Sequence, residues 1–176
     1  MTGLLLPILI LIAIIVIFGS ALYASFRASP WLPVFKKDIE RILKLAEIKQ
    51  GEVVIDLGSG DGRIVMAMAN GSPAKMVVGY EVSLIPYLWS KIRIWFFRSP
   101  QAEIRFGDFL RRDLSCASII FCFLTPMAMK KLAPKFRAEL KLGTRIISYS
   151  FSLADWTPVA TDKPTPTSIP IYKYIV

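Results

Sequence analysis

The chain predicts a doubly wound α/β fold: a mostly parallel sheet with helices on both faces, a C-terminal antiparallel hairpin and an N-terminal transmembrane helix. Three observations predict it. Strand-like and helix-like apolar periodicities alternate from Val53 to Ser150. The run Ser118 to Leu124 is continuously apolar, as a central parallel strand covered on both faces must be. Asp56, Glu81 and Asp108 each stand where a predicted strand ends, and in such a sheet the carboxyl ends of the strands face one ligand crevice.

The first element is the span Leu4 to Tyr23, which has no charged residue. Twenty such residues at about 1.5 Å each reach roughly 30 Å, the thickness of a bilayer core. A cleaved signal peptide is the competing reading, and Gly19, Ser20 and Ala21 are small enough for a cleavage site. No Lys or Arg precedes the apolar run, however, and the run is long for a signal peptide, so an uncleaved anchor is preferred. Arg27, Lys36, Lys37, Arg41 and Lys44 all follow the span, which puts the N-terminus outside and the rest on the cytoplasmic or mitochondrial-matrix side. The chain thus divides into an anchor with its flank, 1–27, and one globular domain, 28–176.

Ala28 to Val34 is a connector punctuated by Pro30 and Pro33. Phe35, Ile39, Ile42, Leu43 and Ala46 recur with helical spacing, and Gln50-Gly51 stops that helix. Val53 to Asp56 is a buried strand, and a helix runs from Gly62 to about Ala69. After the turn Asn70 to Pro73, Met76 to Tyr80 is a strand ending at Glu81, and Leu84 to Phe97 is helical. Ile104 and Phe106 mark a short strand ending at Gly107-Asp108. Ser118 to Leu124 follows, then a helix from Met127 to Leu140 closed by Gly143, then a strand from Arg145 to Ser150. Trp156 to Ala160 and Pro170 to Ile175 pair as an edge hairpin, where Pro158 and Pro170 are tolerated.

The segment Val53 to Arg63, V-V-I-D-L-G-S-G-D-G-R, carries most of the functional information. Gly58, Gly60 and Gly62 permit a tight turn and close approach of backbone to a ligand, and the next helix opens with free N–H groups. A pyrophosphate uses such a loop too. Asp56, two residues before the first glycine, argues against it, because a carboxylate there repels a phosphate and attracts an ammonium group. Arg63 also holds the position where the dinucleotide fingerprint has glycine. Glu81, about 20 residues past the turn, is placed to accept two hydroxyls of a ribose.

These residues resemble motif I of the seven-stranded S-adenosylmethionine (SAM)-dependent methyltransferases, with their Rossmann-like fold. The resemblance implies SAM as cofactor, held by Asp56, Gly58, Ser59, Gly60, Gly62 and Arg63, with Glu81 on the ribose and Asp108 and Phe109 at the adenine. The wider order is Pro33, an amphipathic helix, D-L-G-S-G-D-G-R, G-Y-E, F-G-D-F, F-L-T-P and K-L-G-T-R-I-I-S. It is similar to the membrane-anchored protein-lysine methyltransferases of the mitochondrial ATP synthase c-ring protein and the adenine nucleotide translocase, and to their prokaryotic relatives. A lysine of a membrane or membrane-associated protein is the substrate so implied. The chain departs from that pattern at Pro33-Val34-Phe35, where the relatives have Pro-Thr-Pro, and at Ser148-Tyr149-Ser150-Phe151, where they have Ser-His-Asp-Phe.

The chain has no histidine, which excludes Ser-His-Asp and Cys-His catalysis and histidine-ligated metals. Its two cysteines, Cys116 and Cys122, are too few for a zinc site, so no metal is expected, and Cys122 reads as a buried free thiol. Methyl transfer to an amine is an in-line displacement that rests largely on positioning. Leu124 and Thr125 at the end of the fourth strand are the candidate walls of the transfer channel, Tyr149 the candidate hydrogen-bond partner of the amine, and Trp31 a candidate lid; ordinary packing is an equal reading for each. The net charge of +9 lies entirely beyond the anchor and suits anionic lipid better than nucleic acid, which is not expected as a partner. In the helix Leu84 to Phe97, Leu84, Leu88, Ile92, Trp95 and Phe96 form the expected core face. Tyr87, Trp89, Ile94 and Phe97 then lie on other faces among Lys91, Arg93 and Arg98, either as a membrane-interface signature or beneath a neighbouring segment. Methylation of a lipid or small apolar molecule, and a SAM-binding module without catalysis, are the other function classes.

Overall fold

A computed structural model describes residues 2–27 and 32–176. Trp31 and Pro30, the candidate lid and part of the connector, lie outside the described residues. Helix α1 spans Thr2–Arg27, and a 3-10 turn at Lys36–Asp38 leads into α2, Ile39–Ala46. There follow β1 (Val53–Leu57), α3 (Arg63–Asn70), β2 (Met76–Glu81), α4 (Leu84–Phe97), β3 (Ala102–Phe106), β4 (Ile119–Cys122), α5 (Pro126–Glu139), β5 (Arg145–Tyr149), β6 (Ala160–Asp162) and β7 (Ile171–Ile175). One seven-stranded sheet has the order β3-β2-β1-β4-β5-β7-β6. The pairings from β3 to β5 are parallel, and those of β7 with β5 and β6 are antiparallel. The doubly wound sheet with a terminal hairpin is therefore as the sequence predicts.

The core lies on both faces of the sheet. Ile55, Leu57, Ile120, Cys122 and Ile146 point one way with Phe136 and Tyr174, and Val54, Val77, Ile119, Phe121 and Ile147 point the other way with Ile42 and Met68. Side chains alternate along each strand, so two-sided burial requires continuous apolar runs; β4 is one, and β1 is apolar except at Asp56. The Cys122 thiol sits in this core, and burial pushes it up to about 12, so it is an inert hydrophobe.

Two expectations are corrected. The edge strand is Ala160–Asp162 rather than Trp156 to Ala160. Trp156 instead packs edge-on against Tyr174, under the Arg137 guanidinium. The second concerns α4, which is turned over. Its buried residues are Pro86 and Ser90, and Tyr87 and Ile94 pack against the core, while the expected core residues Leu88, Ile92, Trp95 and Phe96 are exposed. The reason lies in the glycine turn. Gly62 has φ +74°, and a Cβ there would stand 3.0 Å from Ser90 Cβ. The two small residues let α4 press directly onto the turn, which fixes its rotation more firmly than its apolar count does.

Among the described residues, helix α1 is covered by the domain only from Ile17 to Ala24. Ile17, Ser20 and Ala24, spaced to fall on one face, are partly or fully covered, whereas residues 5–16 are exposed throughout. Ser20 Oγ accepts the backbone N–H of Leu84 at 3.2 Å, so α1 abuts the start of α4.

Candidate active site

β1 and β2 deliver their terminal acids to a cleft at the carboxyl end of the sheet. It is lined by Asp56, Gly58, Ser59, Gly60, Asp61, Arg63, Tyr80, Glu81, Ser83, Phe109, Phe121, Phe123 and Leu124, with Ala24 and residues 32–34 on its outer side. The glycine turn is held against β2 by two backbone bonds, Gly58 N–H and Ser59 N–H to Tyr80 O at 3.0 and 2.9 Å. That approach needs Gly79, since a Cβ there would stand 2.5 Å from Ser59 Cβ.

Glu81 is buried and fully oriented. Its Oε1 accepts the N–H groups of Val82 and Ser83 at 2.8 and 2.6 Å, and its Oε2 accepts Gly60 N–H at 2.8 Å. A carboxylate has about four acceptor sites, so capacity remains for a hydroxyl after three are used. Asp56 differs. It is 2% exposed, and no described residue donates a hydrogen bond to it. Burial, then the nearby charges of Glu81 and Asp61, push its carboxyl well above the usual range. Asp61 is balanced locally. Burial alone raises its pKa, but Arg63 and Arg93 hold it below the usual range, with contacts of 2.8 and 2.7 Å.

The cleft thus presents a buried acid without a hydrogen-bond donor, a pinned carboxylate with spare acceptor capacity, and the buried Ser59 hydroxyl, whose oxygen has no partner among the described residues. Uncompensated buried polar groups are costly unless a ligand satisfies them. The set fits SAM: a cation for Asp56, a ribose hydroxyl for Glu81, and an aromatic wall of Phe109, Phe121 and Phe123.

The predicted site residues divide. Asp56, Gly58, Ser59, Gly60, Arg63, Glu81, Phe109 and Leu124 all line this cleft. Arg63 is committed to Asp61 and, through Nη1, to Val34 O at 2.9 Å, so it fastens the 32–34 segment across the opening. Asp108 caps the 3-10 turn that carries Phe109, taking Leu110 N–H at 2.9 Å and the Tyr23 hydroxyl at 3.0 Å. Gly62 and Thr125 do not line the cleft: Gly62 packs on Ser90, and Thr125 is the N-cap of α5, accepting Ala128 N–H at 3.4 Å. Tyr149 is not among the residues that line the cleft either. It is 1% exposed, and its hydroxyl donates to Asp38 Oδ2 at 2.7 Å, so it is not directed at an incoming amine. Its ring meets Phe123 edge-on at 4.9 Å, so it backs the cleft wall from behind. Phe121, Phe123, Tyr80 and Ala24 escape sequence reading, because an apolar strand or helix residue carries no sign of facing a cleft rather than a core.

Comparison with known proteins agrees with this geometry. Residues 56–160 match the model of the ANTKMT methyltransferase domain. A protein-lysine N-methyltransferase of Saccharolobus islandicus is 33% identical over 135 residues, covering 73% of this chain and 81% of that protein. The adenine nucleotide translocase lysine N-methyltransferase of Mus musculus is 35% identical over 137 residues, 74% of this chain and 57% of that protein, so the match spans little more than half of this longer relative. Among solved structures, an RNA methyltransferase from Salinibacter ruber in complex with S-adenosyl-L-homocysteine superposes with a TM-score of 0.77 at 30% identity, covering 82% of this chain and 93% of that one. The chain belongs to the ANTKMT methyltransferase family and is a SAM-dependent methyltransferase.

Proposed function

We propose that this protein is a membrane-anchored protein-lysine N-methyltransferase whose substrate lysine belongs to a membrane or membrane-associated protein. The observation that carries the lysine is the similarity to the Saccharolobus protein-lysine N-methyltransferase over four-fifths of that protein's length. The anchor rests on Leu5–Ala24, a helical stretch with mean hydropathy 3.0 that is exposed from residue 5 to residue 16. Residues 1–27 then form the anchor and 28–176 the methyltransferase domain, on the side where the basic residues accumulate.

Bound SAM supplies the methyl group on a sulfonium, already electrophilic. The chain's own part is to bind, orient and dry the site. Asp56 and Glu81 orient the cofactor, and Phe121, Phe123 and Leu124 give the cleft an apolar wall. A lysine amine entering against such a wall loses water, which lowers its pKa and favours the neutral nucleophile. No histidine base exists in the chain, and desolvation makes one unnecessary.

Helix α4 supports bilayer contact. Leu88, Trp89, Ile92, Trp95, Phe96 and Phe97 are each about half or more exposed, beside the point where α1 leaves the domain. Exposed aromatics mixed with Lys91 and Arg98 at a membrane helix suit the headgroup region.

A second reading, methylation of RNA, is favoured by the Salinibacter neighbour's description and by the net charge of +9. Incubation with radiolabelled SAM and membranes from cells lacking the enzyme, followed by separation into protein, lipid and RNA, tests both. Label in protein supports the proposal; label in RNA or lipid alone replaces it.

A further inference from the structure

We propose that the membrane helix is itself a wall of the cofactor site, so that seating α1 on the domain and binding SAM are coupled. The inference rests on the assignment of the cleft to SAM. Three contacts carry it, all from one end of α1. Ala24 is 5% exposed and lines the cleft together with the glycine turn and Glu81. One residue earlier, the Tyr23 hydroxyl donates to Asp108 Oδ2 at 3.0 Å, across 85 residues of sequence. One turn earlier, Ser20 Oγ accepts Leu84 N–H, at the start of the helix that follows Glu81 and Ser83.

The place of Asp108 gives this arrangement its consequence. Its Oδ1 takes Leu110 N–H at the turn that carries Phe109, and its Oδ2 takes the Tyr23 hydroxyl. Tyr23 therefore ties the end of α1 to the turn that sets the Phe109 wall of the cleft, and Ala24 is a small residue that leaves room for the ligand. Because, among the described residues, α1 is covered only from Ile17 to Ala24, a bilayer that tilts or shifts the helix moves this wall directly. Coupling of this kind is reciprocal: SAM must hold α1 against the domain as firmly as α1 holds SAM in the cleft.

The test uses the full chain in phospholipid nanodiscs and titration calorimetry, with S-adenosylhomocysteine as the probe. Ala24→Phe is expected to weaken S-adenosylhomocysteine at least tenfold. Tyr23→Phe, which keeps the ring, is expected to weaken it about threefold or more, with the melting temperature unchanged. Ile14→Ala, higher on the same helix, is expected to change neither affinity nor melting temperature. If Glu81→Gln weakens binding while Ala24→Phe and Tyr23→Phe match the wild type in affinity, the anchor is not part of the site and the proposal is overturned. If Glu81→Gln also binds as the wild type does, the cleft assignment falls, and this proposal with it.

Discussion

The Glu81 carboxylate accepts the backbone N–H of Gly60 at 2.8 Å, tying the end of β2 to the glycine turn that follows β1. One side chain thereby fixes the turn and faces the cleft. Glu81→Ala removes a charged acceptor from a buried donor and, on the proposed ribose contact, from a cofactor hydroxyl, and each such loss costs about 1.5–3 kcal/mol. SAM affinity is expected to fall at least tenfold, as read by calorimetry; equal affinity in wild type and variant would remove the ribose assignment.

We propose that Asp56 trades stability for binding. Its folded pKa lies well above the ordinary 3.8, with burial as the main cause. Between these values the folded chain holds a proton that the unfolded chain releases, so stability falls as pH rises through that window. Asp56→Asn removes this penalty and the proposed counter-charge of the cofactor together. The ligand-free variant is expected to melt at a higher temperature than wild type at neutral pH, while its SAM binding drops below detection. In the wild type, SAM affinity is expected to weaken as pH falls through the raised pKa. A variant that melts lower, or still binds SAM, contradicts this account.

We propose that Tyr149 serves structure rather than the amine. Its hydroxyl donates to Asp38, which also takes Arg41 Nη1 at 2.7 Å. Burial raises the Asp38 pKa, but these two donors outweigh it, and the net value lies below the ordinary 3.8. The stabilisation is complete above that value and is lost as pH falls through the depressed folded pKa. Tyr149→Phe is expected to cost about 1.5–3 kcal/mol at neutral pH, less in strong acid, with turnover at saturating substrate kept within a few-fold. Denaturant melts and initial rates measure both; a hundredfold loss of turnover in a stable variant would return Tyr149 to the transfer step.

Much of this was readable from the chain alone. The alternation of elements, the burial of β1 and β4 and the three strand-end acids follow from periodicity and turn chemistry, which are local properties. What escaped was long-range or inverted. Tyr149 and Asp38 lie 111 residues apart, and Tyr23 and Asp108 lie 85 apart, so no local pattern joins them. Helix α4 misled because the apolar side of a helix is ordinarily taken as the buried side. Here Ser90 against Gly62 sets the rotation, and the apolar side faces outward beside a helix suited to lipid.

That outward face makes its own prediction. In full-length protein reconstituted with shallow nitroxide lipids, variants keeping a single tryptophan are compared. Trp89 and Trp95, 55% and 78% exposed, are expected to be quenched strongly, and Trp156, packed on Tyr174, weakly. Equal quenching of Trp95 and Trp156 would mean that α4 does not reach the bilayer.

The most direct measurement of the central claim is the chemical position of the transferred methyl group. Full-length protein is incubated with methyl-labelled SAM and membranes lacking the enzyme, and the labelled material is hydrolysed to amino acids. The account predicts methyl-lysine from a membrane-fraction protein, absent with Glu81→Ala. Label in lipid or RNA, or on another amino acid, or no transfer by protein that binds SAM, would contradict it.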